Sequence, residues 1–434
     1  MARLLSMDMR GFANVVRALR LRNYRIYTIG NLISLSGTWV QRVAVGWLAW
    51  QLTHSGTWLG LCAAADLIPV VVISPFAGAL ADRVDRIRLI WVTQFAAMLQ
   101  AALLAFLTFA GLIHVEMLFL LTLCLGVANA TNQPARLALI PSLVDRATLG
   151  SAVALNSLVF NLARFLGPAT AGFVIAQGSV ALAFGLNAMS YVAFILALSR
   201  LDVAPVTAAE HEGGGRILRD LGEGYVYALR HPGIGGIVVL FCVTSVTLRG
   251  FIELFPGFAD SVFHRGAYGL AWLTATVGLG AIIRGAWMLR RSGTAGLTRL
   301  IVNHTLSMSL AVLAFTATTR YELALVCAFV TGFSLVVTGI SAQTLIQIAV
   351  DPAMRGRVMG LYGMIFRAGP AVNAVVMGAL SASLGLRLPV AAGASLSLAA
   401  WAWAHWRQAE MAQALEIEPL EIEPLPEAAT QAAD

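Results

Sequence analysis

Seven charged residues stand inside long apolar runs of the sequence: Arg42, Asp66, Arg164, Arg249, Glu253, Arg284 and Arg367. A charge at mid-bilayer costs about 2.5–3.5 kcal/mol on insertion scales, so such residues face a cavity or a partner. Arg249 and Glu253 are four apart, which on a helix puts them on one face where they can pair. Arg42 and Asp66 lie in consecutive runs and can meet across them. Arg164 and Arg367 sit near the middles of two runs that occupy equivalent places in the chain. Arg284 is close enough to the end of its run to snorkel, which makes it structural. Each of the others reads either as half of an ion pair locking two helices or as a group that meets substrate or protons. Proton-driven transport needs a carboxylate that loads and releases a proton near neutral pH; burial favours the neutral form and a close arginine the ionised one. On that ground Asp66 is the better candidate for the proton, and the Arg249/Glu253 pair for a gate. Amides extend the polar inventory: Asn129, Asn132, Gln133, Asn156, Asn161, Gln343, Gln347 and Asn373 either bond across helices or line a path.

Composition says what must position them. The chain has 434 residues, 59% hydrophobic and only 12% charged, where soluble domains carry about 25% charged residues. It is a polytopic membrane protein. The net charge of +7 comes entirely from arginine in short loops, a pattern of topology and not of nucleic-acid binding. With no lysine, the chain has no P-loop. Cys62, Cys124, Cys242 and Cys327 all lie in apolar runs with no metal-like spacing and read as small packing residues. The seven histidines are scattered, without His-Glu-x-x-His or Gly-x-Ser-x-Gly. The chain is therefore not read as an enzyme, and neither cofactor nor metal site is expected.

A spanning helix needs roughly 20 apolar residues. Twelve such runs fall at about 25–52, 57–81, 89–113, 116–134, 149–175, 180–200, 234–256, 268–289, 297–318, 321–343, 356–381 and 386–406. The basic start and the length of the first run make it a spanning helix, not a cleavable signal peptide. Loops on one side hold Arg83, Arg86, Arg88, Arg136, Arg146, Arg200, Arg216, Arg219, Arg230, Arg290, Arg291, Arg299, Arg355 and Arg357; those on the other hold only Arg265, Arg320 and Arg387. The positive-inside rule then puts both termini in the cytoplasm.

The runs form two related halves. Ala18-Leu-Arg20 matches Ala228-Leu-Arg230, and Gln133 matches Gln343. Further on, Val144-Asp145-x-Ala147-x-x-Gly150 matches Val350-Asp351-x-Ala353-x-x-Gly356, and Arg164-x-x-Gly167-Pro168 echoes Arg367-x-Gly369-Pro370. Parallel six-span repeats suit a rocking transporter with its site at mid-membrane between them. The organisation expected is a cytoplasmic segment over 1–22, a six-helix half over 23–200, a linker over 201–230, a second half over 231–406 and a disordered acidic tail over 407–434. Phe12–Arg22 and Ile217–Arg230 mix arginine with apolar residues and read as interfacial amphipathic helices.

Three motifs then carry a family resemblance. Between the second and third runs, Gly78-Ala-Leu-Ala-Asp82-Arg83-Val-Asp85-Arg86 resembles the Gly-x-x-x-Asp-Arg-x-x-Arg signature of the major facilitator superfamily, with Asp85 where that family has glycine. Gly167-Pro168-Ala-Thr-Ala171-Gly172 resembles the antiporter motif of drug-exporting facilitators, with Ala171 replacing a glycine. Asn23-Tyr-Arg-Ile-Tyr through Gly37-Thr38-Trp39-x-Gln41-Arg42-Val43, and Asn132-Gln133-Pro134-Ala135-Arg136, are similar to the enterobactin-exporter-like subgroup, which also resembles macrolide exporters. The resemblance implies an all-α membrane fold of twelve transmembrane helices in two six-helix pseudo-symmetric halves. It also implies export of a small amphipathic compound (siderophore-, macrolide- or drug-like) across the bacterial inner membrane by alternating access and proton antiport, with the proton gradient as the energy source. Gly78, Asp82, Arg83, Arg86 and Arg136 would form an inner gate, with Asp82 paired to Arg136. Gly167, Pro168 and Gly172 would bend and pack span five. Arg42, Asp66, Asn161, Arg164, Arg249, Glu253 and Arg367 are the cavity and coupling candidates. The partners expected are a small-molecule substrate and membrane lipid, with the chain acting as a monomer. Uptake or passive exchange of a metabolite, or lipid flipping, are the alternatives on the same fold.

Overall fold

The structure, a computed structural model, describes residues 17–203, 217–289, 291 and 293–416; the side chains of 74, 75, 78–83, 165, 217–221, 286 and 289 also lie outside the description. Six long helices come first: α1 (Arg22–Thr53), α2 (Gly56–Arg83), α3 (Arg86–Phe109), α4 (Val115–Leu143), α5 (Leu149–Gln177) and α6 (Val180–Leu198). Six more follow: α7 (Pro232–Val262), α8 (Gly266–Leu289), α9 (Leu297–Ala317), α10 (Tyr321–Ala349), α11 (Arg355–Leu384) and α12 (Arg387–Trp406). Ten of the twelve are long and apolar enough to cross a membrane by length and composition. The other two, α1 and α12, have 32 and 20 residues but spend part of that length on arginine, amides and histidine. A linker helix (Ile217–Arg230) and a tail helix (Gln408–Leu415) complete the described helices.

Local chemistry sets several boundaries. Asp85, the residue that departs from the family signature, accepts a hydrogen bond from the Arg88 N–H at 2.7 Å and caps α3. Ser179 caps α6 in the same way, and His231 followed by Pro232 opens α7. α4 is expected to end at Pro134 but runs on to Leu143, with both Pro134 and Pro141 inside it. Proline removes one N–H bond each time, which neighbouring helices make tolerable in a membrane. Here Ala135, Leu139 and Ile140 are buried beyond the first proline, and that packing carries the helix past it.

Within the first six helices α1 packs on α5 and α6, α2 on α4, and α3 on α4 and α6; in the second six, α8 and α9 both pack on α10, and α9 on α12. Between the two sets, α2 lies along α11 and α5 along α8. Both seams close at the end away from the arginine-rich loops. A Cβ on Gly60 would stand 2.2 Å from the Ala374 carbonyl oxygen, one on Gly378 2.3 Å from that of Gly56, and one on Gly172 2.1 Å from the Ala271 Cβ. Backbone touches backbone there, as small residues allow. Thr57 donates to the Gly378 carbonyl at 3.2 Å and Gln177 to the Tyr268 hydroxyl at 2.8 Å across the same seams.

α7 alone changes character. It is α-helical to Thr247, 3₁₀ over Arg249–Leu254 and a π turn over Phe258–Val262. Gly250, Pro256 and Gly257 explain the change, since glycine is costly inside helices and proline cannot donate back along one. Phe251, Phe255, Phe258, Phe263 and Phe315 pack edge to face or stacked around this segment and hold it in place.

The segment after residue 407, expected to be disordered, begins instead with the tail helix. Met411 and Leu415 are buried against Gly236 and Gly233 of α7, and Glu416 accepts from the Gly296 and Thr298 N–H groups at the start of α9, at 2.5 and 2.8 Å. That apolar contact is what orders it. The linker stretch is helical over the residues expected, with Glu223 paired to Arg357 of α11 at 2.6 Å. Of the helix expected over Phe12–Arg22, residues 17–20 are helical just before α1, and 12–16 lie outside the described residues.

Candidate functional site

Where the halves face each other at mid-length, one arginine holds two carboxylates. Arg42 Nη2 lies 2.8 Å from Glu253 Oε1, and Nη1 lies 3.4 Å from Asp66 Oδ2. Arg42 and Asp66, on α1 and α2, meet as their positions suggested. Glu253 comes from α7 in the other half. The side chains keep 23%, 19% and 24% of their exposure, so the cluster is reached by solvent and is not sealed. Asn129 of α4 lies beside Asp66.

The expected Arg249–Glu253 pair does not form. Four residues apart share a face at 3.6 residues per turn, but at three per turn they point about 120° apart. The 3₁₀ geometry of Arg249–Leu254 therefore sends Glu253 to Arg42. Arg249 goes between two rings, its Cζ 4.9 Å from the Phe241 centroid and 4.8 Å from that of Phe366. Arg164 of α5 lies over Trp39, 5.7 Å from Cζ to centroid, and Arg42 lies over the same ring at 5.3 Å. Arg367 donates to Gln133 Oε1 of α4 at 2.5 Å, a bond that crosses between the halves. Asn161 is exposed and donates to the Ser157 carbonyl of its own helix at 2.9 Å. The structure thus brings Arg42, Asp66, Glu253 and Arg164 together, sets Arg249 and Arg367 in other company, and leaves Asn161 apart.

At the arginine-rich end, the side chains of Gly78, Asp82 and Arg83 lie outside the described residues. Arg86 donates to the Ala138 carbonyl at 3.0 Å and so ties α3 to α4. Arg136, expected opposite Asp82, turns into the bundle. It donates to Asn31 Oδ1 at 2.7 Å and stacks on Phe194 at 4.5 Å. In the antiporter-like motif the two glycines divide their work. A Cβ on Gly167 would meet Trp39 Cβ at 2.3 Å, inside the first half, while Gly172 makes the seam with α8. Pro168 lies inside α5. Arg284, set aside as structural, stacks on Trp287 at 3.7 Å and meets His304 Nε2 at 3.2 Å.

Sequence reasoning missed two features. Gly56 and Gly60 form the α2 seam, and their Gly-x-x-x-Gly spacing was the available signal. A buried ladder of polar groups joins α1 to α3 and α6: Ser34 to Gln94 at 3.1 Å, Gln41 to Gln100 at 2.9 Å and Asn187 to Gln41 at 2.7 Å. Ser34 and Gln41, seven apart on one helix face, carried that signal. Among the described residues no group of three His, Cys, Asp or Glu stands ready to hold a metal ion.

Comparison with known proteins bears on the family and the fold. A family model described as transmembrane secretion effector matches residues 14–433. The chain is 28% identical over 366 residues to the enterobactin exporter EntS of Escherichia coli, covering 83% of this chain and 86% of that one. It is 30% identical over 161 residues to the staphyloferrin A transporter of Staphylococcus aureus, covering 37% of this chain and 41% of that transporter. Among solved structures, a bacterial homologue of the human lysosomal transporter Spinster, inward-facing and unoccupied, matches with a TM-score of 0.71 at 13% identity over 92% of this chain and 99% of that one. The nucleoside transporter NupG matches with a TM-score of 0.63 at 14% identity over 92% and 100%.

Proposed function

We propose, from the premise that this chain belongs to the transmembrane secretion effector family and is a multi-pass secondary transporter of the major facilitator fold, not an enzyme, that it exports a small organic compound across a bacterial inner membrane by proton antiport. The observation that carries the reading is Arg42 held between Asp66 of its own half and Glu253 of the other. The two carboxylates compete for that guanidinium, and a proton on one of them frees it for the other. The longer contact belongs to Asp66, so that carboxylate is the proton's place. A proton on Asp66 leaves Arg42 to Glu253 and tightens the link between the halves. Losing it pulls Arg42 back toward α2.

The closed seams of α2 with α11 and α5 with α8 support alternating access, since the halves meet at one end while the charged cluster keeps its exposure. Placing the arginine-rich loops in the cytoplasm follows the positive-inside rule and makes this an inward-open arrangement. Asp82, Arg83 and Arg86 would then close that side in the other state. Cells expressing the protein should accumulate less of a transported compound, and an uncoupler should restore accumulation; Asp66→Asn should lose the uncoupler response. Export that persists unchanged with the uncoupler would end the antiport reading.

A further inference from the structure

We propose that the transported compound is an organic anion whose acid group seats between Arg164 of the first half and Arg249 of the second. This deepens the transport reading and rests on it. Four arginines stand near mid-membrane (Arg42, Arg164, Arg249 and Arg367) against two carboxylates, Asp66 and Glu253, and Arg42 takes both of those. Arg367 has its amide partner in Gln133. Among the described residues Arg164 and Arg249 have neither a carboxylate within 4 Å nor a hydrogen-bond acceptor; they lie against the rings of Trp39, Phe241 and Phe366. Arginine stays charged in proteins, so these charges cannot be discharged by losing a proton.

The surroundings suit a ligand. A ring covers the flat face of each guanidinium and leaves its N–H edge, the part that grips carboxylates. Nε of Arg136 and of Arg284 is sealed without a partner, whereas no nitrogen of Arg164 or Arg249 is. Arg164 is half-buried and Arg249 is buried at 7% exposure, so donors without an acceptor stand inside the protein at both. Arg164 shares the Trp39 ring with Arg42, and Arg42 holds Glu253, four residues along α7 from Arg249, so the two guanidinium groups flank one region. An anion taken by both would bridge α5 to α7, and Trp39 with Phe160 at 6.2 Å offers an apolar wall beside it.

Purified full-length protein titrated with matched probes tests this: salicylate against salicylamide, citrate against trimethyl citrate, phthalate against phthalamide, read by tryptophan fluorescence. At least one acid should bind tenfold or more tightly than its neutral partner and weaken as salt rises. Arg164→Gln and Arg249→Gln should each remove that preference, the corresponding lysine variants should keep part of it, and Arg284→Gln should leave it intact. Acids binding no better than their neutral partners, or a preference that survives both glutamine variants, would overturn the proposal. Everted vesicles under a pH gradient separate it from the reading it rests on. Acid binding without gradient-driven accumulation keeps the anion site and removes antiport; gradient-driven accumulation of neutral probes with no acid binding does the reverse.

Discussion

α1 and α7 open the two halves at equivalent places, and only α1 is a helix of one kind. Its 32 residues run unbroken past Arg42, whereas α7 passes through 3₁₀ and π turns after Thr247. The repeat-equivalent arginines differ as well: Arg367 is bonded across the interface to Gln133, while Arg164 lies over Trp39. Duplication sets the position of a side chain, but not its company. The break in α7 is what lets the second half reach the first, because it aims Glu253 at Arg42 and leaves Arg249 to the rings.

Removing that reach should have the largest effect. A hydrogen bond between charged groups is worth ~1.5–3 kcal/mol, so Glu253→Gln, which leaves Arg42 to Asp66 alone, should lower export about 10-fold or more; near-normal export would make the link between α7 and α1 dispensable. The glycine seams come next. Gly60→Val forces atoms into the Ala374 backbone, and overpacking of ~1–3 kcal/mol should part the closed end. Cys62, buried two residues along α2, should then be alkylated faster, as read by mass spectrometry at that residue. Gln133→Leu strips Arg367 of its acceptor at a cost of ~1–3 kcal/mol, whereas Gln343→Leu, at the equivalent exposed place, should change thermal stability little. Equal losses would mean that the halves are more alike than their contacts.

The smallest effect concerns the start of α5. Thr148 donates its N–H to Asp145 at 2.8 Å, and its hydroxyl donates to the same carboxylate, which holds that carboxyl below its ordinary range. A lowered value in the folded state means that the contribution is present above the unfolded value, near 4, and is lost as pH falls through the folded one. Hydrogen exchange at the first turn of α5 should therefore quicken only at acid pH, and Asp145→Asn should remove that dependence.

Much of this was legible in the sequence. Apolar runs marked the starts of the spans to within a few residues because a bilayer enforces their length, while α4, α7 and α10 run on past their expected ends. The excess of arginine among the intramembrane charges was equally plain, as was the meeting of Arg42 with Asp66. What could not be read was the type of helix at Arg249: spacing assumes 3.6 residues per turn, and Gly250 with Pro256 broke that assumption locally. The tail was misjudged for a related reason. Its prolines all lie after residue 416, and the apolar Met411 and Leu415 before them find their partners only in three dimensions. Arg136 looked like a gate residue at a helix end, yet Pro134 did not end α4, and its guanidinium was carried inside to Asn31.

Glu416 also bears on how the chain is made. The groups it caps lie 120 and 118 residues earlier, with α10, α11 and α12 synthesised in between. At about 5–20 residues per second, the first turn of α9 waits roughly 6–24 s for that carboxylate, its N–H groups meeting water meanwhile. The start of α9 is therefore capped only after α12 has been made, so this half fixes one of its earlier helices last.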